Sequence, residues 1–303
     1  LRDQRGQMLR EMGELIQVQV REQPGGSINV YLGNEPLVQG ELSRGLTTTL
    51  ETTGEQPRVL VRYADNNSSV SIRGGKIGGL VDARDTVIIG QIDQLDSLSG
   101  ALITEVNKVH SQGQGLEGFT DTTGIFDVLS ADATLNSAAA GLSFKPGNGS
   151  FKVTVTDKAT GLPKDFIVKV DLDGIGTDDS LNSLVAKINA GVQGAHAEAT
   201  GDNRLRFVAD MGSEITFSED SSNVLAALGV NAFFAGHSSQ DLAVNPALSG
   251  NVNLLAAATQ RAPGDGSNAG RIAALGSEPV TSLNNRSLSD FYNAIVSNVA
   301  VRG

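Results

Sequence analysis

The sequence has no cysteine and no tryptophan, and its 303 residues include only 10 Phe and 3 Tyr. The missing cysteines exclude disulfides, thiolate metal sites and a Cys nucleophile. Scarce aromatics beside 36 Gly imply many turns and small packed modules. No apolar run approaches the ~20 residues that span a bilayer, and no signal peptide opens the chain. Basic residues are also outnumbered, 23 Lys and Arg against 34 Asp and Glu, for a net charge of −11. That balance argues against the nucleic-acid backbone, which needs cations to replace its counterions, and against an anionic membrane surface. Length allows two or three domains of roughly 100–150 residues. The chain opens on LRDQRGQMLREMGELIQV and closes on NAIVSNVAVRG, both with helical periodicity still running. This reads as a fragment cut at both ends.

Three segments carry heptad spacing. Leu1, Met8 and Leu15 repeat in the first, with Met12 on the same side. Ile88, Leu95, Leu102 and Val109 repeat in the second, with Ile92, Leu98 and Val106 filling the stripe. Leu288 and Ile295 repeat in the third, beside Phe291, Tyr292 and Val299. Each stripe wants a partner helix, and the material between the stripes is β-rich. The pattern predicts a multidomain α+β protein: an elongated, coiled-coil-like helical stalk carrying inserted β-rich domains. The stalk is assigned to residues 1–16, 76–140 and 249–303.

A small β insert is expected over 17–75. Ile16, Val18 and Val20 alternate, then Ile28, Val30 and Leu32, with strands at Leu37-Val38, Leu46–Leu50, Val59–Tyr63 and Val70–Arg73. Gly74–Gly79 reads as a permissive joint into the second helix. Its spacing fits neither GxGxxG nor a P-loop. Residues 110–140 read as an extended connection held by Phe119 and Phe126. An α+β insert is expected over 141–248, in the order ββαβββ. Its helix at Ser180–Asn189 is capped by Thr177 or Asp178, Gly201-Asp202-Asn203 turns a hairpin, and a helix at Ser221–Leu228 follows.

Signs of chemistry are few. Asp171, Asp173 and Gly176 occupy positions 1, 3 and 6 of an EF-hand alignment, but Ile175 and Asn182 stand where ligands are required. The stretch reads as an Asp-Gly turn and a helix cap. His110, His196 and His237 lack partners at metal-ligand spacing and read as surface or cap residues. No GxSxG or HExxH is present. Neither a catalytic residue, a metal site nor a cofactor is expected. Glycosidase acids leave no short motif, so an enzyme remains a minor alternative, and an extracellular adhesin-like surface module is another.

The segment LGVNAFFAGHSSQDLAVNPAL at 228–248 holds the chain's only Phe-Phe pair, Phe233 and Phe234, between Asn231 and Gly236. It reads as an aromatic-anchored turn. With LRDQRGQMLREMGELIQVQV, GGKIGGLVDARD at 74–85, Val106-Asn107-Lys108-Val109-His110-Ser111-Gln112-Gly113 and SLSDFYNAIVSNVAVRG, it resembles the FlgK family of bacterial hook–filament junction proteins. The pieces stand in family order from end to end.

The resemblance implies a structural role in the flagellum, with D1-like helices in a core and the inserts facing outward. It implies export, unfolded, through the flagellar secretion channel to the cell exterior, without a cleaved signal peptide. A chain free of cysteine suits that route. The implied partners are neighbouring copies, the hook protein, the adjacent second junction protein, and an export chaperone acting through a missing C-terminal segment. Neither nucleic acid nor membrane is implied. Phe233 and Phe234 are then expected to dock the α+β insert onto the stalk, and the fragment alone is expected to be monomeric.

Overall fold

The computed structural model describes residues 2–53, 56–262 and 264–302; Leu1, the first stripe residue, lies outside them. The chain divides into two compact units, Leu1–Gln91 and Ile92–Gly303.

In the first unit, α1 (Arg2–Leu15) buries no residue. Buried Ile16 follows it and starts the local core with Leu32, Leu37 and Tyr63. Strands β1 (Gln19–Glu22), β2 (Ile28–Leu32), β3 (Glu35–Gln39) and β4 (Leu42–Ser43) form an antiparallel meander in sequence order. The alternation at Ile28, Val30 and Leu32 sends Val30 and Leu32 inward. β5 (Leu46–Thr53) and β6 (Gln56–Tyr63) make a separate two-stranded ribbon. Arg44 lies 3.7 Å over the Tyr63 ring and pairs with Glu35 and Asp65 at 2.9 and 2.8 Å.

Val70–Arg73 forms no ladder strand. The chain returns along β6 through one bridge, Arg62 to Ser69, made by Tyr63 N–H to Ser68 C=O at 2.9 Å and Val70 N–H to Val61 C=O at 3.0 Å. Arg73 then turns away, its carbonyl accepting from Gln17 N–H at 3.0 Å. The glycine-rich joint is also mostly helix: α2 spans Gly75–Asp82. Only Gly74 and Gly75 have positive φ, at 60° and 63°. A π-helical turn, Ala83–Ile88, leads into α3 (Ile89–His110).

The second unit holds the main core. Strand β7 (Asp121–Thr123) lies in the stretch read as a connection. Then come β8 (Gly149–Asp157), β9 (Pro163–Val170), α4 (Leu181–Gly191), β10 (Ala195–Ala199), β11 (Leu205–Ala209) and β12 (Ser213–Ser218). The order ββαβββ holds, but the strands form two three-stranded antiparallel sheets, β12-β8-β9 and β10-β11-β7. Phe151, Val153, Phe207, Ile215 and Phe217 from both sheets pack with Leu181, Leu184 and Ile188 of α4. Phe119, Val128 and Leu135 belong to this same core, so residues 119–135 build the α+β module, not a stalk.

Ser180, not Thr177 or Asp178, caps α4. Its hydroxyl accepts from Ser183 N–H while the Ser183 hydroxyl accepts from Ser180 N–H, a reciprocal box. The helix expected at Ser221–Leu228 shrinks to one turn, α5 (Val224–Ala227). Buried Asp220 explains this, because its carboxylate takes the N–H groups of Ser222 and Leu225 and starts the turn late. Beyond α5 come β13 (Phe234–Ala235), β14 (Ala243–Val244), α6 (Pro246–Gly250), α7 (Ser267–Ala274) and α8 (Leu288–Arg302). Leu275, Val280, Leu283 and Leu288 pack with Ala101 and Val106 of α3 in a second cluster. No described helix is long and apolar enough to cross a membrane.

Candidate functional site

Asn107 and His110 stand three residues apart in α3 and so share a face at its end. Both are buried. The Asn107 carboxamide oxygen accepts the backbone N–H groups of Phe233 and Phe234, each at 2.9 Å, and its NH2 donates to Phe234 C=O at 2.9 Å. One side chain thus clamps the backbone of the Phe-Phe turn. His110 Nε2 accepts Ala256 N–H at 3.0 Å, and Nδ1 lies 2.8 Å from Asn231 C=O. An acceptor at Nε2 fixes the neutral ring with its proton on Nδ1, donated to Asn231. Burial pushes this imidazole below its ordinary 6.5, partly offset by the Asn231 carbonyl.

The last carbonyls of a helix have no partners within it. Asn231, at φ +50°, sends its amide to Gly113 C=O at 3.0 Å and toward those of His110 and Ser111 at 3.4 Å. Asn268 of α7 donates to Val109 C=O at 3.2 Å and Ala256 C=O at 2.7 Å. Gly113 must be glycine for this approach: a Cβ there would lie 2.1 Å from the Asn268 amide nitrogen. Four segments therefore meet at the end of α3, held by three buried asparagines, Asn107, Asn231 and Asn268, and by His110.

The aromatic pair sits on the rim of this polar node. Phe233 meets His110 edge-on at 5.4 Å and Phe234 at 4.6 Å. Both rings are half-buried against the cluster that includes Ala101, Val106 and Leu288. Gly236, at φ +94°, closes the turn, and a Cβ there would lie 2.3 Å from Asp241 C=O. Asp241 accepts from His237 and Ser238 N–H at 2.9 and 2.7 Å.

Residues 1–126, which include Asn107, His110 and Gly113, match the family described as flagellar hook-associated protein FlgK, helical domain. Over those residues the chain is similar to the FlgK helical domain. Flagellar hook-associated protein 1 of Escherichia coli K12 is 26% identical over 178 residues, 56% of this chain and 31% of that protein. Its counterpart in Salmonella typhimurium LT2 is 29% identical over 125 residues, 39% of this chain and 22% of that protein. The matches thus span less than a third of the length of these curated relatives. The solved structure of the flagellar hook junction protein FlgK from Burkholderia pseudomallei aligns over 77% of this chain and 44% of that one, at 16% identity and TM-score 0.34.

The heptad stripes divide sharply by position. Val106, Leu288 and Ile295 are buried, and Met12, Ile92, Leu102, Val109 and Phe291 are half-buried. Met8 is 67% exposed, Ile88 56%, Tyr292 54%, Val299 53%, Leu15 48% and Leu95 40%. Contacts inside each unit therefore cover the C-terminal half of α3 and the start of α8, and leave the other ends of the stripes open.

The histidine reading changes at one position. His110 is buried and bridging, while His196 and His237 are exposed. Carboxylate oxygens of Asp171, Asp173 and Asp178 converge within 4.8 Å of one another. Two of these groups already accept loop N–H groups, Asp173 from Ile175 at 2.8 Å and Asp178 from Gly174 at 2.9 Å, as an Asp-Gly turn requires.

Proposed function

We propose that this chain is a structural part of the bacterial flagellum and works in the junction zone between hook and filament by helical self-assembly, without catalysis. The observation that carries the reading is the FlgK helical-domain match over residues 1–126. The similarity to flagellar hook-associated protein 1 of Escherichia coli and Salmonella supports the flagellar part of this proposal. Export to the cell exterior, contact with neighbouring copies, the hook protein and a second junction protein, and delivery by an export chaperone belong to the same proposal.

The mechanism is positional. The node at the end of α3 ties the Phe-Phe turn of the α+β module to the helix through Asn107, His110 and Asn231. A module so tied moves with that helix. Exposed stripe residues, Met8 and Leu15 on α1, Leu95 on α3 and Tyr292 and Val299 on α8, are offered to a coiled-coil-like helical assembly. Expression of the full-length protein in cells that lack their hook–filament junction protein is the test. Restored filaments are expected. Exported protein, intact hooks and no filaments would overturn the junction role.

A further inference from the structure

We propose that His110 is a pH-operated latch: its neutral imidazole fastens the Asn231–Gly236 turn and the Ala256 segment to the end of α3, and acidification releases them locally. This proposal does not depend on the flagellar reading.

The geometry leaves no room for a second proton. Nε2 faces a backbone N–H, that of Ala256 at 3.0 Å, and Nδ1 faces the Asn231 carbonyl at 2.8 Å. A proton added at Nε2 would turn an acceptor into a donor and set N–H against N–H. The Ala256 bond would break, and a cation would be buried with one carbonyl to solvate it. Burial already lowers the ring's proton affinity.

No described carboxylate pairs with the ring to compensate. On α3 itself Glu105 is engaged by Lys108 at 2.8 Å. The Asn231–Phe233 stretch presents only amide, carbonyl and aromatic edge. Beyond Ala256, Arg261 is paired with Glu214, and Asp265 binds Thr259 and Gln260 N–H. On α7, Arg271 contacts Asn268 and Gln112 at 3.2 Å. Asp241, beyond the turn, accepts from His237 and Ser238.

Linkage gives the sign. The released ring titrates near its ordinary 6.5 and the latched ring lower. Latching is therefore fully favourable above 6.5, and weakens as pH falls from 6.5 toward the lower latched value. In that window the opening constant grows about tenfold per pH unit.

The test is NMR on the whole chain. Ring nitrogen shifts are expected to report an Nδ1–H tautomer at pH 7.5 and a His110 midpoint below its ordinary 6.5. Amide protection at Ala256, corrected for intrinsic exchange, is expected to fall about tenfold per pH unit below 6.5, while protection in β8 and β12 holds. In His110→Gln, if it folds, the Ala256 dependence should be flat. An Nε2–H tautomer, a His110 midpoint at or above its ordinary 6.5, constant protection at Ala256, or equal loss throughout the second unit would each overturn the latch. The wild-type measurements decide it even if the variant fails to fold.

Discussion

At the residue scale, an asparagine carries the most. Asn107→Ala would leave the N–H groups of Phe233 and Phe234 and the Phe234 carbonyl without their partner. Unpaired buried groups cost about 1–3 kcal/mol each, and water reaching the half-open rim recovers part of that, so a loss of about 3 kcal/mol is expected in urea unfolding. Phe233→Ala should cost less. Full burial would put a Phe deletion at about 3–5 kcal/mol, but the ring is half-buried, so about 2 kcal/mol is expected from the same denaturation midpoints. Asp241 gives a pH signature of its own. The His237 and Ser238 N–H groups hold its carboxylate at about 2, below its ordinary 3.8. Its turn is therefore held above 3.8 and loosens as pH falls from 3.8 toward about 2, which the amide shifts of His237 and Ser238 should follow. The site was legible only in part. The Phe-Phe pair and its flanking Asn231 and Gly236 stand out in an aromatic-poor chain. Asn107 and His110 stand in the Val106–Gly113 element that carries the resemblance, but their role was not legible, because their partners lie more than 100 residues away and no local period encodes such a bond.

Elements were more legible than their joints. Alternation gives β2 and β8, and the 3.6-residue period gives α4, because burial on one face imposes each pattern. The Val70–Arg73 run has the same alternation but turns off toward Gln17 after Val70, so composition alone overstated it. β7 is three residues long and exists only because β11 offers an edge. The glycines of the first two helices separate local propensity from tertiary fit. Gly6 lies in α1, and a Cβ there would have nothing within 4 Å, so Gly6→Ala should stabilise by about 0.5–1 kcal/mol through chain entropy and helix propensity. Gly75 starts α2 at φ +63°, and a Cβ there would lie 2.6 Å from the backbone of Leu15 and Ile16. Gly75→Ala should therefore destabilise by more than about 1 kcal/mol. Opposite shifts in the melting temperature of the first unit would check both.

At the scale of the whole molecule, the two units own separate cores of different size. Ile16, Leu32, Leu37 and Tyr63 anchor the first, whereas two sheets and α4 supply the second. A smaller unit buries a smaller share of its surface and has less to set against chain entropy. The first unit is therefore expected to melt below the second, in two calorimetric steps. At about 0.7 kcal/mol per residue, the enthalpies should be about 60 kcal/mol for Leu1–Gln91 and about 150 kcal/mol for Ile92–Gly303. The scarcity of aromatics makes the steps separable by spectroscopy. Tyr31 and Tyr63 report on the first unit and only Tyr292 on the second, while all 10 Phe lie in the second. With no Trp to mask them, the tyrosine band of the near-ultraviolet dichroism should lose most of its signal in the first step. The phenylalanine bands should persist to the second. Coincident loss of both, in one calorimetric peak, would mean that the units unfold as a single cooperative body.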